Sequence, residues 1–197
     1  MLDDKDYLAI FRLYVCPGEF LHEQYWTLCS LSDWRDDYLM FPTLRTAIDR
    51  LLRQRLGWEW YQQHDGITEC QRRWIRWLPK LPVMLISLGL MSLNSVDYFL
   101  LGDYRRVLNN LLGEITVKQL FSLWQGESEA PIVSAEELPD VALSLGLQFY
   151  LQIIANDWVG KMIIHTLPPI DNNNVELLTQ SELESMNAML LRIGRFV

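Results

Sequence analysis

Cysteine is scarce in this sequence, with three residues among 197. The opening MLDDKDYLAI is acidic where an export signal is basic, and no small-residue cleavage site follows it. Few thiols and no export signal imply a reducing cytosol and no disulfides. Basic charge is also short. Lys and Arg number 17 against 25 acidic residues, and the pI is about 4.9. General nucleic-acid binding needs counter-charge to phosphate, so this balance argues against it. Long apolar runs are missing too. The two strongest, 81–93 and 141–155, fall short of the roughly 20 residues that a membrane span needs. The second also carries Gln148 and Gln152. Both are expected as buried core helices, with no direct membrane span. There is no clear strand alternation, no internal repeat and no Gly-x-x-x-x-Gly-Lys-Ser/Thr phosphate loop.

What the sequence has is a core. Half its residues (50%) are hydrophobic and eight are Trp, each able to bury a large area. Helix signals dominate. Leu44, Ile48, Leu51, Leu52 and Leu56 recur at helical spacing, and Gly57 stands where a stop belongs. Thr68 with Gln71, Ser134 with Glu137 and Thr179 with Glu182 read as capping boxes. In 141–155, Ser144, Gln148 and Gln152 fall four apart and leave the rest of that helix apolar, which marks it as central. Stretches 126–134 and 168–174 read as surface loops. The expected fold is all-α: one compact multi-helix domain over 1–197, whose last helix, 179–194, packs on the body or swings away from it.

The stretch CPGEFLH (16–22) places a thiol near an imidazole. A nucleophilic Cys16 needs a base within reach and a third group to orient that base. His22 is a candidate base, and no orienting group is evident. Pro17 suits the first position of a helical turn. A structural turn with a small buried cysteine is the favoured reading. The metal candidates Cys16, His22, Cys29, His64 and Cys70 lack the close pairs that zinc prefers. His165, in MIIHTLPP, fits a hydrogen-bonded core histidine better than a base. No metal, cofactor or catalytic residue is therefore assigned.

Charge is uneven. Residues 43–80 carry eight bases (Arg45, Arg50, Arg53, Arg55, Arg72, Arg73, Arg76, Lys80) against four acids. Residues 1–42 carry eight acids against three bases. These charges either pair with one another on solvated faces or form a docking surface for an acidic partner. In RRWIRWLPKLP, helical spacing puts Arg72, Arg76 and Lys80 on one face, with Arg73 beside them. Trp74 and Trp77 are interleaved as aromatics able to reach the surface. Protein docking fits this small patch better than RNA does.

CPGEFLH (16–22), WIRWLPKLPVMLISLGL (74–90), LSLGLQFYLQII (143–154) and HTLPP (165–169) follow one another in an order that resembles the SctK family of type III secretion systems, which includes YscK, OrgA and MxiK. The family's N-terminal element is Cys- or Asp-Pro-x-x-aromatic-Leu/Ile-His. An Asp at the place of Cys16 in some relatives implies that no shared thiol chemistry operates there. Cys16, Pro17, Phe20, Leu21 and His22 then look like a structural element. The resemblance implies a non-enzymatic cytoplasmic adaptor at the inner-membrane face. Its implied partners are the cytoplasmic domain of an SctD-like ring protein and an SctQ-like pod protein, and through the pod an SctL-like stator and an SctN-like ATPase. The alternative is a small cytosolic enzyme using Cys16 and His22. A secretion chaperone would show a mixed α/β pattern, which the helical signals oppose.

Overall fold

Capping residues and a glycine stop set several of the helix ends. The computed structural model describes residues 4–58, 66–124, 128–170 and 177–197, and among these every regular element is helical. In chain order the helices are α1 (Asp4–Val15), α2 (Glu23–Leu28), α3 (Arg35–Met40), α4 (Pro42–Arg55), α5 (Glu69–Trp77) and α6 (Leu81–Ser92). They continue with α7 (Asp97–Leu100), α8 (Gly102–Leu112), α9 (Glu114–Leu123), α10 (Leu138–Ile153), α11 (Trp158–Ile163) and α12 (Gln180–Ile193). Among the described residues no helix is long and apolar enough to cross a membrane. His64, Glu59 and Asp65 lie outside the described residues, as do parts of the loops 126–134 and 168–174.

The Thr68 and Thr179 boxes both close reciprocally, at the starts of α5 and α12. The Ser134 pair closes a turn just before α10: its hydroxyl accepts from the Glu137 amide at 3.3 Å and donates to the Glu137 carboxylate at 2.7 Å. Gly57 ends α4 as expected. Its φ of 65° is left-handed. The Gly57 amide donates to Gln54 O and the Trp58 amide to Arg53 O, a Schellman ending. Ile48 and Leu52 are the buried residues of that apolar row, while Leu51 is exposed.

The chain's contacts cluster into two compact units, and the chain passes between them three times. The first unit holds residues 1–78 and 154–169. Its first cluster packs Leu21, Trp26, Cys29, Leu31, Tyr38, Ile48 and Leu52 together. Its second is formed where α1, α5 and α11 meet, with Ile10, Leu13, Trp74, Val159 and Ile163 buried.

The second unit holds residues 79–153 and 170–197. The expected core helices α6 and α10 are its centre. They run antiparallel in close contact: Gly89 lies on Ala142 and Gly146 on Leu85. Only glycine leaves room there. A Cβ on Gly146 would stand 2.6 Å from the Leu85 carbonyl carbon, and one on Gly89 would stand 2.7 Å from that of Ala142. Both glycines lie in the tetrapeptide Ser-Leu-Gly-Leu, which occurs at 87–90 and again at 144–147. This short recurrence was not apparent as a repeat because the segments around it differ. α12 packs on this pair with Leu190 and Ile193 fully buried. The polar stripe of α10 has a use as well, since the Gln152 side chain accepts from the Leu178 amide at 2.9 Å, just ahead of α12.

Candidate functional site

Pro17 opens a short 3-10 turn, Pro17–Glu19, with Cys16 at its N-cap position. Pro17 and Leu21 are buried, and Phe20 is half-buried beneath the Arg12 guanidinium, 5.7 Å from the ring centre. Arg12 also holds Glu19 at 2.7 Å. The turn is fixed from α4. The Gly18 amide donates to Asp49 Oδ1 at 3.0 Å, and the Tyr38 hydroxyl donates to Asp49 Oδ2 at 3.4 Å. Gly18 rests on the Tyr38 ring so closely that a Cβ would come within 2.6 Å of it. Asp49 is 2% exposed. Burial raises its pKa above the usual carboxylate range, and its hydrogen bonds from Gly18 and Tyr38 act against that rise.

Cys16 and His22 share no hydrogen bond. His22 is the N-cap of α2, where its Nδ1 accepts from the Gln24 amide at 3.4 Å. Its own amide donates to His165 O at 3.0 Å. Burial, aided by the carboxylates of Asp49 and Glu19, pushes the Cys16 thiol up, away from the thiolate that a nucleophile requires. Cys16, Cys29 and Cys70 are all free thiols. Among the described residues no three His, Cys, Asp or Glu side chains gather to hold a metal.

His165 sits in an aromatic cluster with Tyr25 and Trp58, both edge-on to its ring. Trp58 Nε1 lies 3.2 Å from its Nδ1 and the Lys161 carbonyl 2.7 Å from the same atom. That nitrogen serves one of them at a time, accepting from Trp58 when bare or donating to Lys161 when protonated. Burial lowers the His165 pKa. These are the surroundings expected of a packed, hydrogen-bonded histidine.

Most of the basic block has partners within the chain. Three arginines of α4 each reach the C-terminal end of an earlier helix. Arg53 donates to the Tyr14 and Val15 carbonyls at the end of α1. Arg55 donates to Cys29 and Ser30 past the end of α2, and Arg45 donates to Tyr38 and Leu39 near the end of α3. Unpaired carbonyls at a helix end attract cations, so one basic helix secures three others. On α5, Arg76 lies 2.5 Å and Arg72 3.8 Å from Asp6, while Arg73 lies over the Trp77 ring at 5.9 Å.

Two expectations about this face need correction. Lys80 does not continue the row of Arg72 and Arg76. α5 ends at Trp77 because Pro79 has no amide to continue its ladder, and Lys80 lies in the next 3-10 turn, in the second unit. Its ammonium donates to the Gly194 and Val197 carbonyls at 3.2 and 3.4 Å. Nor are Trp74 and Trp77 surface aromatics. Both are buried, edge to face at 5.5 Å, because the inner face of α5 carries them together with Gln71 and Ile75.

One surface escaped the sequence reading. At the corner between α3 and α4, Leu39, Met40 and Phe41 are exposed by 59, 63 and 50%. Trp34 lies exposed just ahead of α3. The apolar row recognised in the sequence begins at Leu44 and leaves this stretch aside, and Pro42 starts α4 just after it.

The sequence profile of a family described as type III secretion system subunits matches residues 8–169. No curated protein and no solved structure matches the chain. The profile takes in the Cys-Pro turn, all of α4 and α5, the α6–α10 crossing and the His165 cluster, and on that breadth the chain belongs to this family of type III secretion system subunits.

Proposed function

We propose that the protein is an SctK-like, non-enzymatic adaptor of a type III secretion system. It links the cytoplasmic domain of an SctD-like ring protein to an SctQ-like pod. Through the pod it supports an SctL-like stator and an SctN-like ATPase, at the cytoplasmic face of the inner membrane. The observation that carries this reading is the family match over residues 8–169. The groups that an enzyme would need at the opening turn are otherwise engaged, since His22 caps α2 and the Cys16 thiol is shifted away from ionisation. Solvent-facing apolar side chains, Met40 among them, offer area for protein contacts.

The test is affinity purification of the tagged chain from bacteria assembling the complete secretion system. Recovery of both the ring protein and the pod protein is expected, along with loss of secretion when the gene is deleted. Recovery of neither, or normal secretion in the deletion strain, would reject the adaptor role. The enzyme alternative requires loss of function in a Cys16→Ser variant that is folded and still binds its partners.

A further inference from the structure

Large apolar side chains at the tip of a loose loop say little about binding. The α3–α4 corner is different, because its backbone is pinned from several sides. The Phe41 amide donates to Asp37 O at 2.8 Å and the Leu44 amide to Phe41 O at 3.0 Å. Arg45 holds the Tyr38 and Leu39 carbonyls at 3.0 and 3.1 Å. Pro42 fixes the start of the next helix. Leu39, Met40 and Phe41 are thus held outward in one arrangement, which lowers the ordering cost of binding.

The charge beside this corner is negative on balance, with Asp33, Asp36 and Asp37 standing against Arg45. Within α3, Asp36 and Asp37 precede Met40 by four and three residues and so neighbour this anchor along the helix, while Asp33 lies in the 3-10 turn just ahead. Among the described residues no salt bridge reaches Asp33, Asp36 or Asp37. The neighbouring base, Arg35, is turned to Glu23 at 3.3 Å. Arg45, the base at the corner itself, is tied to the Tyr38 and Leu39 carbonyls, so three carboxylates without a salt bridge stand against one arginine there.

We propose that this corner is a docking surface for a protein segment that presents apolar side chains flanked by lysine or arginine. Leu39, Met40 and Phe41 supply the buried contact. Asp33, Asp36 and Asp37 orient the partner and speed its encounter. The proposal rests on the adaptor reading and deepens it by naming a surface and the chemistry that fits it.

The test measures binding of the whole chain to two purified probes, the cytoplasmic domain of the ring protein and the pod protein of the same secretion system. Two double variants are compared with wild type, Met40→Ser with Phe41→Ser, and Asp33→Lys with Asp36→Lys. Thermal melting confirms that each is folded. Each double variant should bind one of the probes more weakly by about ten-fold or more. Wild-type affinity for that probe should fall with added salt, and the aspartate variant should lose this salt dependence. If wild type and folded variants bind equally well, the surface is refuted and the adaptor reading stands. If wild type binds neither probe, the adaptor reading fails and this proposal fails with it. If light scattering shows wild type as a dimer that Met40→Ser with Phe41→Ser dissolves, the occupant is a second copy and the proposal is overturned.

Discussion

Replacing Gly146 by alanine sets two effects of opposite sign against each other. Within a helix, alanine is favoured over glycine by about 1 kcal/mol. A reader of the sequence alone would therefore expect stabilisation. At the crossing with α6, the new Cβ would stand 2.6 Å from the Leu85 carbonyl carbon and 3.0 Å from its Cα. Comfortable carbon–carbon contact lies at about 3.5–4.0 Å, so the two backbones must part by about 1 Å. No rotamer change relieves a clash with a backbone. The cost therefore belongs at the upper end of the about 1–3 kcal/mol typical of overpacking. The net expectation is a loss of about 2 kcal/mol, or a melting midpoint lower by about 4–8 °C for a chain of this size. Gly102→Ala is the control, because a Cβ there meets nothing within 4 Å. It should leave the stability within about 0.5 kcal/mol of wild type. Circular-dichroism melting of both variants decides the matter. A Gly146→Ala protein that melts at or above the wild-type temperature would refute the close crossing of α6 and α10.

The Cys-Pro turn should tolerate Cys16→Ser with secretion nearly intact, whereas Gly18→Ala should destabilise the protein because of the Tyr38 ring 2.6 Å away; the reverse ranking in melting and secretion assays would contradict the geometry. Asp49 carries a raised pKa, so its stabilising share is complete below the unfolded-state pKa and declines as pH rises through the folded one. Melting of wild type relative to Asp49→Asn should accordingly improve as pH falls from 7 to 4, and a relative loss over that range would give the shift the wrong sign. Asp49→Ala should cost about 1–3 kcal/mol, since the Gly18 amide and the Tyr38 hydroxyl would lose their acceptor. If the α5 bases also dock an acidic partner, Arg72→Glu with Arg76→Glu should weaken association by more than roughly 1 kcal/mol, less so at high salt. Unchanged pull-down of ring and pod proteins by the folded double variant would confine Arg72 and Arg76 to holding Asp6.

Local signals in the sequence determined the ends of α4, α5 and α12. Thr68 with Gln71 and Thr179 with Glu182 fix helix starts through atoms three residues apart, and Gly57 fixes an end through its own φ. Such features need no distant partner, so they can be read from a line of text. The apolar character of 81–93 and 141–155 likewise marked the central pair, because only burial accommodates helices that are apolar on nearly every side. The uses of charge were decided only by the tertiary structure. Arg45, Arg53 and Arg55 find the ends of three other helices, Lys80 finds the carbonyls of Gly194 and Val197, and Asp6 lies 70 positions from Arg76. Asp49 reads as an ordinary surface acid on a basic helix, yet it is buried against Gly18 and Tyr38. The exposure of Leu39, Met40 and Phe41 was equally hidden, because a hydrophobic residue in a sequence does not reveal which side of a corner it will face. A long, flexible side chain can meet a carbonyl, a carboxylate or solvent at nearly equal local cost, so folding, and not sequence neighbours, selects its partner.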